Sequence, residues 1–192
     1  ATFTAGLLGE GAGGMTALKL AEETDFIGAS LRAGAGYENV TLSLSVPKRS
    51  VDRGFQLMAL MLLKPTFSSV DINRQRSLRL AGFTSERDSP NAVAGKVFYR
   101  NIFPASHPYH GDIDGDSASV VNFDSVAVRN WWATAADPRR TTLVLSGDVT
   151  LQEAVSWAAK HFSGWKAPSV ILSSVPARDV SGPTQWKARV IL

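Results

Sequence analysis

Phe3-Thr4-Ala5-Gly6-Leu7-Leu8-Gly9-Glu10-Gly11-Ala12-Gly13-Gly14 opens the chain and decides how the rest is read. The stretch is apolar, then glycine-dense, and it runs straight into a segment of helical character. Two readings compete. Gly9, Gly11 and Gly14 fit the spacing G-x-G-x-x-G, in which backbone amides cradle a pyrophosphate at a helix N-terminus. In the other, Ala5 to Ala12 is the end of a buried helix and the loop behind it.

A dinucleotide site needs a buried strand before the glycines, a helix after them, and an acidic residue about 20 positions on for the ribose. The helix is there. Thr16 can cap it over about residues 17–27, with Ala17, Leu18, Ala21 and Phe26 as its apolar stripe and Gly28 as its end. The segment before the glycines is too short for a buried strand, and Glu38 falls in a turn. After the helix come Ala29–Ala33 and the alternating run Val40-Thr41-Leu42-Ser43-Leu44-Ser45-Val46, joined through Gly34, Gly36 and Glu38-Asn39. That is an antiparallel hairpin with one buried face, not a second parallel strand. A nucleotide-binding oxidoreductase is therefore the weakest of the candidate functions.

Pro47 ends the hairpin, and Ser50 opens a helix whose stripe is Val51, Phe55, Met58 and Leu62, widened by Leu57 and Met61 and stopped by Pro65. Ser69 begins a long helix to about Glu86, with Ile72, Leu80 and Phe83 inward and Arg74, Arg76 and Arg79 on a solvated face. Ser89-Pro90 starts the next, using Val93, Val97 and Ile102. A loop follows from His107 to Asp116. Asp124 caps a helix bearing Val128, Trp131 and Trp132. Residues 140–148 read as a buried strand entering a turn. Thr150-x-x-Glu153 is a capping box for a helix lined by Val155, Ala158 and Phe162, closed by Gly164. Residues 166–188 lack periodicity and read as a linker. Arg189 to Leu192 read as the start of a following strand or domain. Both ends look cut, so the expectation is a single domain over 1–165, with further strands belonging before it.

Composition narrows the functions. The 192 residues are 44% apolar and 19% charged, with a formal net charge of +3 and no cysteine. Disulfides, thiolate metal sites and a cysteine nucleophile are excluded. The basic residues form no stripe interleaved with aromatics, so nucleic acid is not an expected partner. No apolar run is long enough to span a membrane. His107-x-x-His110 with Asp112, Asp114 and Asp116 is the densest group of possible ligands. Pro108 and Gly111 forbid a helix there, and the glycine comes too early for a calcium loop, so turn chemistry is the expectation. His161, in a helix's last turn, suits the helix dipole. Ser146-Gly147-Asp148 lacks a nucleophile-elbow pattern.

Taken in order, the motifs resemble those of the M16 family of pitrilysin, insulinase and mitochondrial processing peptidases. Leu7-Leu8-Gly9-Glu10-Gly11-Ala12 is similar to the family's LL-x-E-G-T. Gly28-Ala29-Ser30-Leu31, Leu62–Phe67, Asp88-Ser89-Pro90, His107-Pro108-Tyr109 with Gly115, Val144–Val149 and Phe162-Ser163-Gly164-Trp165 follow in the family's sequence. The resemblance implies an α+β, two-layer fold of the LuxS/MPP-like metallohydrolase type: an antiparallel-rich sheet with helices mainly on one face.

Active domains of that family carry H-x-x-E-H just before the glycine loop, two zinc-binding histidines and a glutamate base, and a third ligand in the long helix. The matching positions are Thr2, Ala5 and Gly6, with the third near Ala81 or Gly82. The resemblance therefore implies a domain without zinc, catalytically inert on its own, with metal expected only in a partner. Inactive domains of the family pair with a zinc-bearing domain or subunit and enclose a peptide, which adds as a strand to a sheet edge. Here that edge would be Leu31, Arg32, Ala33 and Gly34, running to Gly36. A periplasmic or other cell-envelope location is mildly favoured. The competing expectation is a structural or assembly protein that kept the fold without binding peptide.

Overall fold

The computed structural model describes residues 1–169. The expected linker beyond Ser169 and the strand start at 189–192 lie outside the described residues. The chain runs α1 (Thr2–Leu7), a 3-10 turn (Leu8–Glu10), β1 (Gly11–Ala12), β2 (Met15–Thr16), α2 (Ala17–Phe26), β3 (Ser30–Ala35), β4 (Val40–Ser45) and α3 (Val51–Leu63). Then come α4 (Ser69–Arg87), α5 (Pro90–Ile102), a 3-10 turn (Pro108–His110), α6 (Ser117–Val121), α7 (Ser125–Ala135), a 3-10 turn (Pro138–Arg140) and α8 (Leu151–Phe162). It is an α+β fold. Among the described residues its strands form two antiparallel pairs, β1 with β2 and β3 with β4.

The β3–β4 hairpin has one half-buried face, as the alternation in the sequence required. Leu31, Ala33, Val40 and Leu42 point to the core, while Ser30, Arg32, Gly34, Thr41 and Ser43 face out. The helices lie on the apolar side, α1 against β3 and α3 against β4. The core joins α1, α3, α4 and α6 through Leu7, Leu8, Leu57, Met61, Ile72 and Val120, all fully enclosed, and α7 through Val128 and Trp132. Each such side chain is worth about 1.5–3 kcal/mol relative to leaving it in water. Trp132 on α7 ties the last layer in, its indole N–H donating to the Leu62 carbonyl at 2.9 Å.

Thr16 caps α2 as expected, and Thr150 with Glu153 forms the capping box of α8. Ser68 rather than Ser69 caps α4, accepting from the Asp71 amide. Ser50 and Ser89 occupy N-cap positions without a side-chain capping bond.

Four expectations are corrected. The stripe on α2 is turned around: Leu18 and Phe26 are exposed, and the helix buries Leu20 and Thr24 instead. Thr24 is tolerated inside because its hydroxyl donates to the Leu20 carbonyl at 2.7 Å. Helix α5 buries no residue, leaving Val93 and Ile102 exposed, and on α8 Val155 is exposed. Residues 141–146 form no strand among the described residues, and Leu143 and Val144 are open to solvent. Arg74, Arg76 and Arg79 are not a solvated face. Arg74 pairs with Glu10, Arg76 donates to the Phe123 carbonyl, and Arg79 pairs with Asp114, so the three stitch α4 to other elements.

Candidate substrate edge and vacated metal positions

The glycine stretch folds as a tight hairpin behind a helix. Gly13 and Gly14 make the two-residue turn between β1 and β2 at φ 60° and 86°, a conformation that favours glycine. The backbone is also spent. The Gly13 amide donates to the Lys64 carbonyl, the Gly11 carbonyl accepts from Thr66, and Ala12 bridges to Pro65. A helix precedes the turn, and no phosphate cradle is formed.

On α1, Thr2 is half-buried, Ala5 is buried at 1% exposure and Gly6 is open to solvent. Ala81 and Gly82 are exposed on α4, which packs beside α1. Alanine and glycine carry no donor for a metal. The Thr2 hydroxyl is neutral and already donates to the Ile113 carbonyl at 3.1 Å. This donor set does not fit zinc. Among the described residues, no group of three or more His, Cys, Asp or Glu is placed to hold a metal.

Ion pairs link the loop to the neighbouring helices. From the loop between the Pro108–His110 turn and α6, Asp114 pairs with Arg79 of α4 and Asp112 with Lys96 of α5 at 2.6 Å. Lys96 also reaches Glu86 and stands over the Phe83 ring, 5.5 Å from its centre. Burial works against the Lys96 charge, but Asp112 and Glu86 outweigh it and hold its pKa above the ordinary lysine value. The amine therefore stays charged and is no base at neutral pH. The rest of the His/Asp cluster serves the turn. Asp112 accepts from the Asp114 amide, Asp116 caps α6, His107 accepts from the Tyr109 amide, and His110 bonds the Phe103 carbonyl.

The expected substrate edge is geometrically distinct. The Gly36 amide donates to the Asn39 carbonyl at 2.8 Å, which fixes the phase of the ladder. Antiparallel pairing alternates every residue. Gly34, Arg32 and Ser30 therefore turn their backbone groups toward β4, and Leu31, Ala33 and Ala35 turn theirs away. No described strand pairs with that outer side. Of the four residues expected to bind substrate, Leu31 and Ala33 have amides and carbonyls without a strand partner among the described residues, while Arg32 and Gly34 face solvent with their backbone turned to β4.

The sequence did not foretell the aromatic group at the hairpin tip. The Tyr37 ring lies 4.6 Å from Tyr109 and 6.1 Å from Tyr99, Phe103 stacks on His107, and the Tyr37 hydroxyl donates to the Gly111 carbonyl at 3.3 Å. These residues are far apart in the chain, with no periodicity to join them.

Comparison with known proteins relates this α+β domain, with its helices on one hairpin face, to the M16 peptidases. Residues 122–191 match the family profile described as the peptidase M16 inactive domain. An uncharacterized zinc protease of Mycobacterium leprae is 23% identical over 147 residues, covering 77% of this chain and 33% of that protein. The chain thus spans about a third of that relative's length. The crystal structure of a peptidase M16 inactive domain from Pseudomonas fluorescens superimposes with a TM-score of 0.83 at 25% identity, over 92% of this chain and 43% of that one. The periplasmic protease PqqL from Escherichia coli shares the fold, with a TM-score of 0.76 at 14% identity, over 90% of this chain and 20% of that one. Residues 122–191 are thus similar to the M16 inactive domain, and the fold of the chain is that of M16 peptidase domains.

Proposed function

We propose that this domain is a non-catalytic M16 half that joins a zinc-bearing M16 domain or subunit, encloses an extended peptide and binds it by strand addition to β3. The observation that carries the reading is the outward row of backbone groups at Leu31, Ala33 and Ala35 on a strand packed against α1, whose ligand positions lack donors. A strand edge binds through main-chain hydrogen bonds, so it accepts many sequences, as a degradative chamber requires. Zinc would reside in the partner alone. A cell-envelope compartment fits the reading, since one structural neighbour is a periplasmic protease.

Two measurements test this. Zinc titration of the chain should show no stoichiometric site; sub-micromolar binding of one equivalent overturns the proposal. Labelled extended peptides should bind the chain, and N-methylation of alternate peptide amides should abolish binding. Cleavage should need both this chain and an H-x-x-E-H-bearing M16 partner. A complex that forms but neither binds nor cleaves peptide would favour the purely structural role.

A further inference from the structure

A cavity lies at the hairpin tip that follows β3. Two residues beyond Ala35, the Tyr37 ring forms one wall of a recess of about 250 Å³. One side of α5 lines it as well, where Ala92, Gly95, Lys96 and Tyr99 recur at helical spacing and the Tyr99 ring touches that of Tyr37. The Tyr37 and Tyr99 rings, 39% and 40% exposed, face each other at a tilt of 31°. An ideal Cβ built on Gly95 meets no atom within 4 Å, so the recess is open in front of it. The charged groups at the floor are satisfied by one another, Lys96 by Asp112 and Glu86. Ring face and small residues share the lining with Asn91, Arg100, His110 and Asp112.

We propose that this recess is a side-chain pocket for an aromatic residue of the bound peptide. The inference rests on the strand-addition reading. A strand beside Leu31–Ala35 advances about 3.3 Å per residue, so its continuation by two residues comes level with Tyr37. The volume of about 250 Å³ is enough for one large side chain. An inserted ring would meet both tyrosines in tilted or edge contacts, the geometry aromatic pairs prefer. Arg100 at the rim can close over its face. A peptide carboxylate is the poorer occupant, because Lys96 is already engaged by two acids. Beyond Arg100 lies a second cavity of about 330 Å³, but its Asp116 and Ser119 are bonded to each other in the cap of α6.

The test compares two labelled extended peptides, identical except for one Phe or Ala, by fluorescence anisotropy on the full chain, with the position scanned along the peptide. Wild type should favour the Phe peptide about tenfold at one position, equivalent to about 1.4 kcal/mol. Gly95→Leu, whose Cβ has open space and whose side chain would occupy the recess, should bring the Phe peptide down to the level of the Ala peptide. Its melting temperature should stay level or rise, because glycine is a poor helix former. Ala33→Pro removes an outward amide and should weaken both peptides together. Equal binding of the two peptides by wild type at every position, or a Phe preference that survives Gly95→Leu, overturns the pocket alone. Absence of binding by either peptide overturns the strand reading and the pocket with it.

Discussion

The hydroxyl of Thr2 donates to the carbonyl of Ile113 across 111 residues of chain, at 3.1 Å. Thr2, the first of the expected ligand positions, thus fastens the loop that Asp112 and Asp114 also anchor. Thr2→Val keeps the shape and removes the donor. It should cost about 0.5–1.5 kcal/mol in denaturant unfolding. Amide exchange should quicken over residues 111–116 more than elsewhere, whereas an unchanged exchange pattern would show that the bond holds nothing.

Positions 2 and 6 lie one helical turn apart, and Gly6 has open space around it. Thr2→His with Gly6→His would place two imidazoles on neighbouring turns of α1. Calorimetry should detect zinc binding in this double variant, weaker than that of a complete site, and none in wild type. If the pair gains nothing, α1 does not present these positions to a common space.

The glycines of the opening stretch should separate by mechanism. An added Cβ at Gly11, at φ 134°, would sit 2.5 Å from the Met15 carbonyl oxygen, so Gly11→Ala should cost about 1–3 kcal/mol or more. Gly14, at φ 86° with nothing nearby, carries only the backbone penalty of about 1–2 kcal/mol. Gly6→Ala should stabilise by about 0.5–1 kcal/mol, since Gly6 lies inside a helix at an ordinary backbone angle. Thermal melts of the three variants check the order.

Asp137 is buried, and its carboxylate accepts from the Arg139 guanidinium at 2.7 Å and from the Arg139 amide at 2.9 Å. The guanidinium, helped by the amide, holds its pKa below the ordinary 3.8. A lowered folded-state pKa means that the unfolded chain takes up the proton first. The stabilisation is therefore full above the ordinary value and is lost as pH falls through the lower one. Denaturant midpoints should fall in that acid window, and Asp137→Asn should be less stable at neutral pH while losing part of the acid dependence. Parallel pH curves for variant and wild type would refute the assignment.

Much of the fold was legible because its signals are local. The period of α3 and α4, the caps at Thr16 and Thr150, and the alternation in β4 each rest on neighbours a turn or two away. The misreadings share a cause. In α2 and α5 the choice of which face to bury is made by what packs there, and a chain in isolation does not carry that information. Residues 140–148 have strand composition, yet pairing takes a partner. At the candidate site, the residue types at Thr2, Ala5 and Gly6 could be read from the sequence, but not what surrounds them. The bonds that tie Thr2, Arg79 and Lys96 to the 111–116 loop span separations at which no spacing rule applies.

An edge that pairs through backbone atoms cannot tell a substrate from another copy of itself. The amides of Leu31, Ala33 and Ala35 would join a second β3 as readily as a peptide, and the outward face opposes this with one charge, Arg32. The edge proposed as a tolerant binder would therefore also set a ceiling on how concentrated the domain can be while empty, and a closed partner or a bound peptide would raise that ceiling.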